Sequence, residues 1–259
     1  LLLNDEWAAF LAENDFLVGV SVDGTRELHD YFRIDAQQKG TGSRAEQAVR
    51  LLQHHQVKYN ILTVLTAQTA RRGCQIYNRY RKNGWDYMQF IPCLDPAGKP
   101  RGELTYSLQP AAYLDFLETV FDCWYRDMKA GKGCYIRFFD NILGMAMGIE
   151  PESCSQRGSC TAQLVIEADG SAYPCDFYVT DGYCMGNLAE DSLETVLRSE
   201  TARRFNEVSA VVQEECRACR YAAFCRGGCR RDRDTDGQMK LNYYCGTYQA
   251  FLEYSLPRF

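Results

Sequence analysis

Thirteen cysteines are spread unevenly along this chain, four in residues 1–150 and nine in residues 151–259, and their spacing constrains the fold more than any other feature. An odd number cannot all pair within one chain. Disulfides also need an oxidising compartment, and no signal peptide is visible at the start. Metal is the alternative. Cys216-x2-Cys219-x5-Cys225-x3-Cys229 is followed by Cys245 and preceded by Cys154-x5-Cys160 and Cys175. These eight thiols suffice for two four-thiolate sites, with Cys184 left over. Structural zinc and iron–sulfur clusters both take four Cys ligands, so spacing alone does not separate them. Disulfides or plain buried thiols stay open beside them.

The residues around the late cysteines lean toward clusters. Arg217, Arg220, Arg226, Arg230, Arg231 and Arg233 lie in a stretch whose one acid is Asp232. Cations and N–H donors stabilise the net negative charge of a thiolate-ligated cluster, although such a run also suits a solvated basic face. Gly227-Gly228 can bring backbone amides close to a cluster and accept positive φ, or simply make a turn. Cys74, Cys93, Cys123, Cys134 and Cys184 lack partners at ligand spacing and read mostly as small buried hydrophobes.

With 259 residues the chain can bury a core without staples, as one large domain or two ordinary ones. Lys+Arg 29 against Asp+Glu 34 gives a formal charge of −5, which argues against a nucleic-acid or membrane-surface binder. The longest apolar runs, such as Phe16 to Val22, are too short to span a bilayer. The chain opens Leu1-Leu2-Leu3 without an initiator Met, which suggests a piece of a longer protein.

The first 115 or so residues alternate strand and helix. Asn4 or Asp5 can cap a helix carrying Trp7, Phe10 and Leu11 on one face. Phe16 to Val22 reads as a buried strand. Ser43-x-x-Glu46 reads as a capping box for the next helix. Lys58 to Leu65 is a strand, Thr69 to Asn83 a helix closed by Gly84, and Tyr87 to Ile91 a third strand stopped by Pro92. This βαβαβ order implies a parallel sheet with right-handed crossovers, and ligands at the carboxyl ends of the strands. Those ends carry Ser21, Asp23, Thr66, Cys93 and Leu94. Pro110 to Lys129 is a long aromatic-rich helix, after which come Tyr135 to Phe138 and a short helix. From Pro151 the elements shorten and carry cysteine. Gln163 to Glu167 and Ser171 to Pro174 form a hairpin around Asp169-Gly170. Helices follow near Ser192–Ser199 and Thr201–Val208, and a final helix starts near Leu241.

The cysteine frame, Tyr173-Pro174-Cys175-Asp176 and Gly186-Asn187-Leu188 resemble the SPASM domain that follows the catalytic barrel in radical S-adenosylmethionine enzymes acting on peptides. Ser21-Val22-Asp23-Gly24, Phe90 to Asp95, Gly170 to Val179, Gly227 to Arg231 and Leu241 to Cys245 look most like anaerobic sulfatase-maturating enzymes. The resemblance covers essentially the whole chain. It implies an α/β fold: the C-terminal half of a partial (β/α)6 barrel over 1–115, connecting helices over 116–150, and a cysteine-rich α+β SPASM iron–sulfur domain over 151–259.

The resemblance further implies one auxiliary [4Fe–4S] cluster on Cys154, Cys160, Cys175 and Cys229 and a second on Cys216, Cys219, Cys225 and Cys245. A zinc-ribbon reading would instead group Cys216, Cys219, Cys225 and Cys229. Asp176 matches the family's proposed catalytic base; alone it would read as a turn aspartate. The family oxidises a sulfatase Ser or Cys to Cα-formylglycine with a 5′-deoxyadenosyl radical, and a carboxylate in reach can take the side-chain proton. Ser21 and Leu94 match contacts to S-adenosylmethionine, and Arg44 is a candidate for its methionyl carboxylate. The Cys-x3-Cys-x2-Cys motif that binds the cluster cleaving S-adenosylmethionine is absent. The radical chemistry is therefore expected of the intact protein, with a third cluster in the missing part, and not of this fragment. Expected partners are a sulfatase polypeptide or its active-site segment and an external electron donor or acceptor, in a reducing, anaerobic cytoplasm. Rival functions are a SPASM-type maturase of another peptide and a non-enzymatic iron–sulfur or zinc module.

Overall fold

The structure, a computed structural model, describes residues 2–96, 99–161, 163–235 and 238–259. It divides into two compact units: residues 1–140 with 250–259, and residues 141–249.

The first unit holds a four-stranded parallel sheet in the order β1-β2-β3-β4: Leu17–Ser21, Lys58–Leu65, Tyr87–Pro92 and Tyr135–Ile136. The register sets Ser21 beside Leu62 and Leu65 beside Pro92. Six helices connect or cover the strands: α1 (Asp5–Glu13), α2 (Arg26–Phe32), α3 (Gly42–His54), α4 (Ala67–Ala70), α5 (Gly73–Lys82) and α6 (Pro110–Lys129). Parallel strands need such crossovers, and helix cover explains why β2 is buried at alternate positions, Ile61, Thr63 and Leu65.

The chain forms α6 for visible reasons. Pro110 occupies its first turn, where the missing N–H costs nothing. Tyr113, Phe116, Leu117, Val120, Phe121 and Trp124 recur at helical spacing and are all buried. Each such side chain contributes about 1.5–3 kcal/mol by leaving water. The end of the chain packs on this helix. Phe251 stands 5.7 Å from Phe121 and 5.4 Å from Phe139, and Tyr254 and Arg258 both bond Asp122 at 2.6 Å. The carboxyl end of β1 is pinned by Tyr80, whose hydroxyl donates to the Val22 carbonyl at 2.6 Å and accepts from Gly24 N–H at 2.8 Å.

Several local expectations change here. Asn4 does cap α1, accepting from Trp7 N–H at 2.8 Å. But Trp7 and Phe10 are 55% and 46% exposed, and the buried residue of α1 is Ala8. The capping box is not formed. Helix α3 starts at Gly42, one residue before Ser43, and Glu46 is drawn to Arg26 at 2.8 Å and Arg79 at 2.5 Å. The helix expected over Thr69 to Asn83 is two, because Thr66 caps a separate turn and the chain restarts at Gly73.

The second unit is built from short pieces. Strands β5 (Val165–Ile166), β6 (Ser171–Tyr173) and β7 (Gly186–Asn187) form an antiparallel sheet. The β5–β6 turn uses Gly170 at φ +87°, and a Cβ there would meet Asn187 Oδ1 at 2.6 Å. Helix α7 (Arg137–Ala146) precedes this unit's loops; α8 (Leu193–Leu197), α9 (Glu200–Ser209), α10 (Glu214–Arg217), α11 (Ala222–Cys225) and α12 (Cys245–Ser255) follow the sheet, so the final helix begins later than Leu241. Its apolar centre is small: Ala172, Met185, Val196 and Ala202, with Leu164 and Leu188 against them. Two arginines compensate. Arg230 is 4% exposed, with its guanidinium 4.4 Å from the Phe205 ring, 4.9 Å from Tyr178 and 5.5 Å from Tyr183, and donates to the Phe205 carbonyl at 3.0 Å. Arg233 donates to the Ser209 carbonyl at 2.6 Å and the Val211 carbonyl at 3.0 Å. The basic run is therefore not a solvated face throughout: Arg217 and Arg220 are exposed, but Arg230 and Arg233 are buried and tie the chain to α9 and the residues just beyond it.

Candidate cluster sites and cofactor pocket

In the second unit, Cys216, Cys219, Cys225 and Cys245 line one cavity of about 700 Å³. Cys216 lies on α10, Cys219 just beyond it, Cys225 ends α11 and Cys245 begins α12. Three successive left-handed residues, Arg226, Gly227 and Gly228 (φ +49°, +85° and +73°), turn the chain after Cys225. The turn brings the Gly227 amide to the Cys225 sulfur. A Cβ at Gly228 would meet Asn242 Nδ2 at 2.5 Å, and that amide group caps the Gly227 carbonyl at 3.1 Å. Gln249 Nε2 lies 3.5 Å from the Cys245 sulfur and 3.8 Å from that of Cys219; Tyr221 N–H points at Cys219 from 3.4 Å.

Cys160 is the hub of the other four, within electrostatic reach of Cys154, Cys175 and Cys229. Its backbone is fixed by Cys160 N–H donating to Ser209 Oγ at 2.7 Å. Burial pushes Cys175 and Cys229 up to about 12 and Cys225 up to about 11. Thiols raised in this way stay protonated at neutral pH unless a cation replaces the proton, and metal coordination does that outright. Four soft sulfur donors converging on one cavity, with N–H groups aimed at them, is the donor chemistry an iron–sulfur cluster takes. Among the described residues, no three His, Cys, Asp or Glu side chains form a group able to hold a single metal ion.

Asp176 is exposed on a 3-10 turn and accepts from the Cys175 thiol at 3.3 Å. Cys184 donates to the Gly186 carbonyl at 3.6 Å.

In the first unit a smaller cavity of about 300 Å³ opens beyond the carboxyl ends of β1, β2 and β3, lined by Asp23, Phe32, Arg33, Val64, Thr66, Thr69, Cys93 and Tyr106. Ser21 ends β1 and Leu94 follows β3 by two residues; neither is among the lining residues. Arg44 is not among them either and pairs with Asp35 at 2.8 Å. The guanidinium of this cavity belongs to Arg33, which sequence reasoning missed. The signal available was Asp23 at a strand end: a buried carboxylate needs a cation. Asp23 Oδ1 accepts from Val64 N–H at 2.8 Å and Oδ2 from Arg33 Nε at 2.5 Å. Behind them His29, 2% exposed, accepts from Asp23 N–H through Nδ1 at 3.2 Å. Its Nε2 meets Thr41 Oγ1 at 3.0 Å, while that hydroxyl donates to the Arg33 carbonyl at 2.9 Å. These bonds require the neutral Nε2–H tautomer, and burial holds the imidazole below its ordinary value, in the same sense.

Comparison with known proteins gives the family. Residues 154–220 match the SPASM model, an iron–sulfur cluster-binding domain. A cysteine-type anaerobic sulfatase-maturating enzyme of Clostridium perfringens is 41% identical over 259 residues, covering 99% of this chain and 70% of that one. A serine-type enzyme of Bacteroides thetaiotaomicron is 31% identical over 274 residues, covering 99% of this chain and 66% of the other. A solved structure described as native anSMEcpe with bound AdoMet and Kp18Cys peptide superposes with a TM-score of 0.94 at 41% identity, covering 99% of this chain and 72% of that chain. The fold and site thus define a radical S-adenosylmethionine enzyme with a SPASM domain. The chain belongs to the anaerobic sulfatase-maturating enzyme family.

Proposed function

We propose that the intact protein oxidises a sulfatase side chain, Cys in preference to Ser, to Cα-formylglycine. What supports this reading above all is 41% identity to a cysteine-type enzyme across 99% of the chain, against 31% to a serine-type one. Bound S-adenosylmethionine supplies, in this family, the 5′-deoxyadenosyl radical that takes a hydrogen atom from the substrate Cβ.

The chain's own residues do the rest. Cys154, Cys160, Cys175 and Cys229 hold one auxiliary [4Fe–4S] cluster; Cys216, Cys219, Cys225 and Cys245 hold the other. Asp176 accepts the thiol or hydroxyl proton of the substrate as an electron departs to an external acceptor; Ser is then left as the aldehyde, and Cys as a thioaldehyde that water hydrolyses to the aldehyde with release of hydrogen sulfide. Ser21 and the Leu94 backbone contact S-adenosylmethionine beyond the strand ends. Arg33, oriented by Asp23, offers its remaining N–H groups to the cofactor's carboxylate, while Arg44 is paired with Asp35. The partner is an extended sulfatase segment. No helix among the described residues is long and apolar enough to cross a membrane, and thiolate-held clusters favour a reducing, anaerobic cytoplasm.

The test uses the full-length protein, reconstituted without oxygen and given a sulfatase peptide with Cys or Ser at the target. The expected result is an aldehyde trapped by a hydrazide, formed faster from Cys. Cleavage of S-adenosylmethionine with no aldehyde from either peptide would assign the protein to another peptide. Asp176→Asn should slow the reaction by about 10²-fold or more at unchanged iron content, and near-normal turnover would remove Asp176 from the mechanism.

A further inference from the structure

Two thiols outside both quartets face each other. Cys74 lies in the first turn of α5 and Cys123 on the buried face of α6. Their sulfurs are 2.9 Å apart and both thiols are free. Helix packing sets this contact. A Cβ on Gly73 would lie 2.9 Å from Val120 Cγ2 and 3.1 Å from the Phe116 ring, so α5 approaches α6 over a glycine. The next side chain, Cys74, then meets Cys123. The other thiols outside the quartets have oxygen partners: Cys93 the Tyr106 carbonyl, Cys134 the Tyr77 hydroxyl and Cys184 the Gly186 carbonyl.

The two sulfurs differ in exposure. Cys74 is partly exposed and accepts from Asn78 Nδ2 at 3.3 Å. The Arg126 guanidinium, one turn along α6 from Cys123, acts on both sulfurs. Cys123 is 6% exposed, and burial, with Cys74 beside it, pushes its thiol up to about 12. Cys74 is therefore the attacking thiol and Cys123 the resolving one.

We propose that Cys74 and Cys123 form a reversible dithiol–disulfide site, oxidised by a small-molecule disulfide, that staples α5 to α6. The Cys74 thiolate attacks one sulfur of the small disulfide, forms a mixed disulfide and releases one thiolate, which takes up a proton. Cys123 then loses its proton and displaces the second small thiolate from Cys74. The protein pair is oxidised by two electrons and the small disulfide is reduced to two thiols. The sulfurs must close from 2.9 Å to a bond of about 2.05 Å. The link joins positions 49 apart, and constraining so long a loop narrows the unfolded ensemble.

The cluster-loaded full-length protein is incubated without oxygen with oxidised glutathione, its remaining thiols are alkylated, and its peptides are mapped by mass spectrometry. The expected product is one linked species joining the Cys74 and Cys123 peptides, lighter than their sum by two hydrogens and lost with dithiothreitol. The oxidised wild type should melt at a higher temperature than the reduced one. Cys123→Ser should show no such rise and should carry glutathione on Cys74. Recovery of both residues alkylated, or a wild type halted at a glutathione adduct on Cys74, overturns the proposal whether or not the variant folds.

Discussion

Arg33 reaches back along the chain to place its Nε 2.5 Å from Oδ2 of Asp23, at the carboxyl edge of the parallel sheet. The carboxylate is almost fully buried and the guanidinium about a third exposed, so the pair fixes the direction of a guanidinium on a residue that lines the cavity. Asp23→Asn keeps an acceptor for Val64 N–H but removes the charge that holds Arg33. Stability should fall by about 1–3 kcal/mol, read by denaturant unfolding. S-adenosylmethionine should bind the full-length variant about tenfold more weakly, equivalent to about 1.4 kcal/mol. Unchanged affinity by calorimetry would show that Arg33 does not serve the cofactor.

His29 gives this corner a pH dependence. Burial lowers its folded-state pKa below the unfolded value of about 6.5. Above that value both states are neutral and the residue adds no slope. As pH falls below it, the unfolded chain takes up a proton the folded one resists, and stability is lost. Asp23, Asp30, Glu46 and Arg33 are the charged groups that act on it. Melting temperatures followed from pH 7.5 down to about pH 5.5 should fall more steeply for wild type than for His29→Asn. Parallel curves would contradict the buried neutral imidazole.

The two groupings of the late cysteines make opposite predictions for Cys245. If Cys245 completes the quartet lining the larger cavity, Cys245→Ser should reduce the iron of the anaerobically reconstituted chain from about eight to about four. Cys184→Ser should leave it unchanged. A zinc ribbon on Cys216, Cys219, Cys225 and Cys229 would be indifferent to both substitutions, with metal analysis returning zinc.

Gly228 is held at φ +73° with no room for a Cβ beside Asn242, whereas Gly131 has a similar φ of +71° and nothing within 4 Å. Gly131→Ala should cost only the left-handed penalty of about 1–2 kcal/mol. Gly228→Ala should cost more and also displace the amides next to Cys225 and Cys229. Comparing thermal melts and iron content of the two variants checks this, and equal losses would contradict it.

How far these elements could be read beforehand depends on where their causes lie. β2 and α6 were legible to the residue, because Lys58–Leu65 is a bounded apolar run and Pro110–Lys129 combines an initiating proline with a helical stripe. The start of α3 was not, because Glu46 answers to Arg26 and Arg79, 20 and 33 positions away. The break between α4 and α5 was hidden for a similar reason: Gly73 serves contact with α6, not local propensity. Trp7 and Phe10 formed the expected stripe, but periodicity does not say what covers a stripe. Within the site, the cysteine frame was visible because ligand spacing is written locally. Arg33 was invisible because only the fold delivers it to Asp23. The buried Arg230 and Arg233 looked like surface charge because sequence shows the charge and not the carbonyls it meets.

Those two arginines have a bearing on assembly. Each guanidinium is moored to main-chain oxygens at the end of α9 and just beyond it, so the ribbon bearing Cys229 is tethered by polypeptide contacts that owe nothing to iron. Stripping the metal should therefore slacken the sulfur-lined bays without unravelling the strand of chain between them. Iron would enter a berth already laid out, unlike the zinc finger that has no shape until its ion arrives.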